Sequence, residues 1–356
     1  MNNFIKALHI DLLRRIDTVI NDIHSYSHHD NIKKEFIPNT LEQFMSLKNS
    51  LQLIINSGGS LINYGPLHTA FKNIHSYRYQ AIKNYKDPEI FFNKIISQVY
   101  EEHRINALPP VISTTSNHHL YYWTIPQYDI IFLPVGEEQS LLNLPDMYHE
   151  IGHLLYAMFE GKSCEISAME IDRYFMAIKH KNKEIEIKKI NFFWRKKWIE
   201  EFTCDLTATY MIGPAYAWTH LKLLSNELGK TDIYKASSSH PCDEARMRII
   251  ILMMDKLGLN EEKKQFESIW NSFLENSVKP KNHDFIYPPY IFQIMVDEFF
   301  EFYQNADLAS YCELKNSSSS ITQLLNNAWD ATRDTSVDYL DFEKLQIRNL
   351  KLKYNL

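Results

Sequence analysis

At 356 residues the chain can bury a sizeable core, in one large domain or in two to three packed subdomains. With 45% hydrophobic and 13% aromatic residues against only 9 Gly and 13 Pro, the composition excludes a disordered or fibrous protein and points to a helix-rich globular one. A formal charge of −6 excludes a global electrostatic attraction for nucleic acid or anionic membrane, so any such role would need a local patch.

The first segment, MNNFIKALHIDLLRRIDTVI, interrupts its apolar residues with Lys6, Asp11, Arg14, Arg15 and Asp17, so it lacks the unbroken apolar stretch of a signal peptide. Phe4, Leu8, Leu12, Ile16, Val19 and Ile23 fall instead at the spacing of an amphipathic helix. Helical patterns continue to about residue 103, with breaks expected at Pro38, Gly58, Gly59, Gly65 and Pro66. From Pro109 the texture changes. PPVIST, HLYYWTI and DIIFLPV are short, β-branched and aromatic, and PQY between the last two reads as a hairpin turn, which predicts a small sheet of about three strands.

After Gly136 helical periodicity returns, with Pro145 near the start of a helix and Gly161 just beyond its end. Further helices are expected over roughly 192–211, from Pro214 to Gly229, and from Pro241 to Gly258. The remainder is again helical in pattern, with a Ser-rich loop at 317–320. The predicted fold class is therefore mainly α with a small β-sheet (α+β), divided into a helical N-terminal region at 1–103, a central core at 104–260 and a helical C-terminal region at 261–356. The longest apolar runs, such as residues 249–254, fall far short of the roughly 20 residues that cross a bilayer, so no membrane span is expected. Cys164, Cys204, Cys242 and Cys312 form no C-x-x-C pair, which argues against a disulfide framework and predicts a reducing, cytoplasmic location.

The main motif lies in the helix that Pro145 opens. His149-Glu150-Ile151-Gly152-His153 fits H-E-x-x-H, in which two imidazoles four apart share one helix face and can hold one Zn²⁺. Glu150 then projects beside the metal, where it can take a proton from an activated water and pass it to a leaving amine. A catalytic zinc needs a third protein ligand. Glu201 in WIEEFTCDLTATY is the best candidate, because Glu201 and Asp205 are four apart on a helix whose apolar side is Trp198, Phe202, Leu206 and Tyr210. Asp205 is the choice for the carboxylate that accepts a ligand histidine's second N–H. Glu200 is an alternative ligand, and a solvated acidic face opposite the basic 195–197 run is the bland alternative for all three carboxylates.

With these residues in place the chain resembles the gluzincin metallopeptidases, in which H-E-x-x-H is followed on a later helix by E-x-x-x-D. The resemblance sharpens toward the HtpX-like zinc endopeptidases, because Ser239-His240-Pro241-Cys242-Asp243-Glu244-Ala245-Arg246 looks like their H-P-x-x-x-x-R element. It covers roughly residues 110–255 and implies a zincin-like catalytic core with one Zn²⁺ per chain. It also implies His149, His153 and Glu201 as ligands, Glu150 as general base, Asp205 behind a ligand, and His240 and Arg246 in a family element. HtpX-like enzymes are usually embedded in membranes and this chain is expected not to be, so substrate and biological role are not carried over.

The expected partner is a peptide or protein substrate, with a protein partner for the helical flanks as a further expectation. A catalytically silent metal-binding protein and a zinc hydrolase of non-peptide amides or esters are the competing readings. The basic, aromatic stretch at 179–197 reads as a solvated face rather than a nucleic-acid surface. The pairs His28-His29 and His118-His119 could bind metal adventitiously, but His118-His119 is a poor chelate if that segment is extended, because adjacent side chains then point to opposite faces. His240 is expected near the cap of a helix opened by Pro241, donating one N–H to the charge that develops on a substrate carbonyl; Tyr210, Tyr216 and Tyr234 are rival donors. A strand at 129–135 or its partner at 118–125 is expected to offer an open edge to an extended peptide.

Overall fold

The structure, a computed structural model, describes residues 3–26, 32, 34–57, 61–115, 122–178, 184–226, 233–275 and 277–356. His28, His29, His118, His119, Gly58, Gly59 and Gly229 lie outside the described residues, as do the first residues of the HLYYWTI segment and of the basic stretch at 179. Helix dominates, with one small three-stranded mixed sheet among the described residues, as the composition and periodicity predict. No helix among them is long and apolar enough to cross a membrane.

The chain forms two compact units: residues 1–96 with 109–135 and residue 356, and residues 97–108 with 136–355. The division falls elsewhere than at 103/104 and 260/261. The strands expected to belong with the H-E-x-x-H helix pack with the N-terminal helices, and the region after 260 joins the H-E-x-x-H helix in one body.

In the first unit, helices Asn3–Ser25, Phe36–Asn56 and Leu61–Ile74 bury Leu12, Ile16, Ile23, Phe44, Leu51 and Phe71 in one core with the sheet residues Val111, Ile130 and Phe132. Pro38 and Pro66 do not end helices. Pro38 sits in a first turn, where no N–H partner is needed, and Pro66 lies just beyond one, so its ring removes a single backbone bond. Strands β1 (Val111–Ser113), β2 (Trp123–Ile125) and β3 (Ile130–Phe132) lie in the order β1-β3-β2, with β1 parallel and β2 antiparallel to β3. PQY makes the turn between β2 and β3 as a short 3₁₀ segment that ends on Asp129 at φ 50°. β3 is the central strand, paired on both sides, so the 129–135 segment has no open edge for an extended peptide and that half of the expectation is corrected; its partner β2 lies at the edge of the sheet, in the other compact unit from the H-E-x-x-H helix. The buried Arg78 guanidinium ties the unit together: it donates to Thr40 Oγ1 (2.9 Å), the Phe36 carbonyl (3.2 Å) and the Tyr128 carbonyl (2.6 Å) and lies 4.0 Å over the Phe36 ring.

The regular elements of the second unit are all helices among the described residues. Its centre is helix Ile199–Ile212, on which every residue except Glu200 is buried, the signature of a helix surrounded by others. Helices Asp146–Met158, Pro214–Asn226, Asp243–Lys256 and Pro289–Asn305 pack around it.

Candidate metal centre

The H-E-x-x-H helix, Asp146–Met158, directs Met147, Tyr148, Ile151 and Leu155 into the core, which turns His149, Glu150 and His153 toward helix Ile199–Ile212. The two helices cross at Gly152. A Cβ there would stand 2.7 Å from Cys204 Cα, so only glycine permits the approach that brings the imidazoles to the carboxylates. A five-residue π-turn, Trp194–Trp198, precedes helix Ile199–Ile212, and its indoles anchor it: Trp194 Nε1 donates to the Ile286 carbonyl (2.9 Å) and Trp198 Nε1 to the Ser237 carbonyl (3.0 Å). The second bond also fixes the loop that carries His240.

At the crossing, each histidine has its Nδ1 on one carboxylate and its Nε2 toward another. His149 Nδ1 lies 3.1 Å from Asp205 Oδ1 and His153 Nδ1 lies 2.9 Å from Glu200 Oε1. His149 Nε2 is 3.4 Å from Glu201 Oε2 and His153 Nε2 is 3.8 Å from Glu201 Oε1. Those two separations are long for hydrogen bonds. They suit donors that share an ion, since two ligands about 2.1 Å from one tetrahedral zinc lie about 3.4 Å apart. Glu201 is buried, and its Oε2 has no hydrogen-bond partner among the described residues. A buried carboxylate oxygen left unbonded is costly unless something else satisfies it. The donor set, two nitrogens and a carboxylate with the far nitrogen of each ring already oriented, fits Zn²⁺.

Cys204 Sγ also lies within 4.8 Å of donor atoms of His149 and His153. Burial, reinforced by the surrounding carboxylates, pushes its thiol well above the ordinary range, and its body fills the contact with Gly152, so it packs the crossing and Glu201 is the better candidate for a third ligand.

Behind His149, Asp205 is fully buried and accepts from Arg246 through both oxygens, Nε to Oδ2 at 2.8 Å and Nη2 to Oδ1 at 2.6 Å, while the Tyr216 hydroxyl donates to Oδ1 at 2.6 Å. Burial opposes ionisation of Asp205, but Arg246 and His149 outweigh it and hold the carboxyl far below the usual range. Burial likewise opposes the Glu201 charge, which His149 and His153 hold at about 2, and opposes the His149 cation, which Asp205 and Glu201 raise to about 10. Glu150 differs from its neighbours. It is buried, and desolvation pushes it up to about 7 against the pull of the two histidines.

His240 is corrected in one respect. Helix Asp243–Lys256 takes Cys242 as its N-cap, so Pro241 precedes the helix and His240 lies in the loop before it. The imidazole nevertheless reaches the site: Ser239 Oγ sits 2.9 Å from Nδ1, and Nε2 lies 3.7 Å from Glu201 Oε1, with the side chain 57% exposed. Of the rival donors, the Tyr210 hydroxyl donates to the Leu308 carbonyl (3.0 Å) in the core, and the Tyr216 hydroxyl is committed to Asp205 on the far side of His149. Tyr234 packs edge-on against His283, 4.9 Å between ring centroids, beside the Glu244–Arg248 pair.

The structure thus brings together His149, Glu150, His153, Glu201, Asp205, His240, Arg246 and Tyr216, and sets Tyr210 and Tyr234 apart. Sequence reasoning missed the pairing of Glu200 with His153, for which the only signal is the E-E doublet, whose members point about 100° apart on a helix. It also missed His220, buried beside Tyr216 with Nε2 unbonded among the described residues and pushed down to about 3 by burial. The chain as a whole matches no protein-family model, no curated protein and no solved structure.

Proposed function

We propose that this chain is a zinc-dependent peptidase that holds one Zn²⁺ through His149, His153 and Glu201. The observation that carries the reading is the convergence of two Nε2 atoms on a buried carboxylate whose Oε2 is unbonded among the described residues, with a second buried carboxyl, Glu150, that has no ion-pair partner among them, on the helix of the two histidines. Zinc at this position would supply Lewis acidity to a substrate carbonyl and lower the pKa of a water molecule. Glu150 accepts the proton of the attacking water and returns it to the leaving nitrogen, and a purely structural site has no use for such a base. His240, held at Nδ1 by Ser239, donates Nε2–H toward the charge that develops on the carbonyl oxygen. Asp205 and Glu200 fix the orientation of His149 and His153, and Arg246 with Tyr216 fixes Asp205.

The substrate in this reading is a peptide bond within a peptide or protein. We also place the chain in the cytoplasm; the supporting observations are four free cysteines and the lack of a membrane-crossing helix among the described residues. The test has two stages. Metal analysis of protein purified without added metal should find about one zinc per chain, lost when both histidines are replaced. The zinc-loaded chain, incubated with a mixed proteome, should generate new termini that Glu150→Gln at full zinc occupancy does not. Zinc without cleavage would turn the reading to a silent metal-binding protein, and hydrolysis confined to small esters or amides would turn it to a non-peptide hydrolase.

A further inference from the structure

On the C-terminal side of helix Ile199–Ile212, beyond the turn at Gly213, the second unit contains a cavity of about 220 Å³ that plays no part in the proposed chemistry. It is smaller than the roughly 300 Å³ of sites for drug-sized ligands, so its occupant is small. Two indoles form one wall: Trp218 and Trp329 lie 6.4 Å apart at 28°, and both are almost fully buried. Trp329 Nε1 is fixed on Thr219 Oγ1 at 3.1 Å. Another wall is the Tyr311 ring, held in place because it packs on Gly213, where a Cβ would come within 2.6 Å of it.

The charges in the cavity do not balance. Asp330 is paired with Arg333 at 2.5 Å, and Arg333 also lies 4.5 Å over the Trp218 ring. Glu261 is paired with Lys264 at 2.9 Å. Glu262, half-buried, has no ion-pair partner among the described residues. The Tyr311 hydroxyl, on a side chain only 8% exposed, makes no hydrogen bond among them either. Burial, with the Glu262 and Asp330 carboxylates, pushes that phenol up to about 12. One uncompensated carboxylate, one phenolic hydroxyl able to accept, and aromatic faces already bearing a guanidinium form a receptor for a second cation.

We propose that this cavity binds a small organic monocation, a guanidinium or alkylammonium group, against Glu262, the Tyr311 hydroxyl and the Trp218–Trp329 wall. The bland alternative is that Glu262 merely answers the N-terminal dipole of helix Asn260–Glu275, in whose first turn it lies. The two are separable by titrating the full chain, at constant ionic strength, with n-butylguanidinium and its neutral isostere n-butylurea, followed by calorimetry. The guanidinium should bind with Kd near or below about 1 mM and the urea should not. Glu262→Gln should weaken binding about tenfold. Tyr311→Phe, which keeps the ring on Gly213, should weaken it about threefold. Circular dichroism identifies any variant that has lost its fold. Nα-acetylarginine amide in the same titration distinguishes sources: tighter binding than n-butylguanidinium assigns the site to a side chain carried on a peptide, weaker binding to a free metabolite. Equal affinity for the urea, or wild-type affinity in both variants, overturns the proposal. The zinc-free and zinc-loaded chains should bind alike, so this result stands or falls apart from the peptidase reading.

Discussion

Asp205 bears its charge at zero exposure, which is tolerable only because Arg246, Tyr216 and His149 all bond to it. Removing Arg246 leaves that charge inadequately compensated, so Arg246→Met should cost about 3–5 kcal/mol in urea denaturation. A loss below about 1 kcal/mol would mean that the pair carries little of the unit's stability. Asp205→Asn keeps the shape but not the charge, and zinc affinity measured by competition with a chelator should fall about 10- to 100-fold. His240→Ala should retain zinc and lower kcat by about 100-fold with KM little changed, the pattern of a bond made mainly in the transition state. A rise in KM at constant kcat would make His240 a substrate-binding group instead. The i,i+4 spacings of His149 with His153 and of Glu201 with Asp205 were legible in the sequence because a helix converts that spacing into a shared face. Tyr216 and Arg246 were named only as candidates, without their partner, because they reach Asp205 from two other helices and no local pattern encodes such a contact.

Gly152 shows the same limit at the scale of an element. As the second x of H-E-x-x-H it appears neutral, and in a helix interior glycine is unfavourable by about 1 kcal/mol relative to alanine. The structure reverses that preference, since a methyl group would stand 2.7 Å from the Cys204 backbone. Gly152→Ala should therefore destabilise the chain by about 1–3 kcal/mol despite its better helix propensity, and should lower zinc affinity by moving both histidines off Glu201. Unchanged denaturation and zinc retention would show that the helices can part without cost. Helices were legible wherever an apolar stripe runs for several turns. The π-turn Trp194–Trp198 was not, and the stretch over 192–211 was read as one helix. One extra residue in a single turn leaves the stripe on either side intact and shifts only its phase. That shift contributes to the direction in which Glu200 and Glu201 point.

For the whole molecule, the strands and their order of appearance were legible from β-branched texture, but not which helices they would join. That depends on the non-local match of apolar faces, here of Val111, Ile130 and Phe132 with the N-terminal helices. The second unit is likewise closed by contacts distant in sequence, and His103 is one of them. It is fully buried, with Nδ1 2.7 Å from the Ala309 carbonyl and Nε2 3.1 Å from Thr322 Oγ1, so it ties residues 97–108 to the C-terminal helices. Burial pushes it down to about 4; the nearby Glu313 and the Ala309 carbonyl pull it up, and Arg104 pulls it down further. In the unfolded chain a histidine titrates near 6.5. Between those two values the unfolded state binds a proton that the folded state refuses, so stability rises with pH across the window. The contribution is fully present above about pH 6.5, declines as the pH falls, and is lost as it passes through about 4, a total of about 3 kcal/mol. His103→Gln keeps a donor for the Ala309 carbonyl but cannot titrate. Denaturation midpoints of both chains between about pH 4 and 7 should therefore converge toward the acid end, with the wild type losing its excess stability and the variant showing the flatter profile. Parallel profiles would mean that His103 admits its proton in the folded state and that the C-terminal tie is looser than the structure describes.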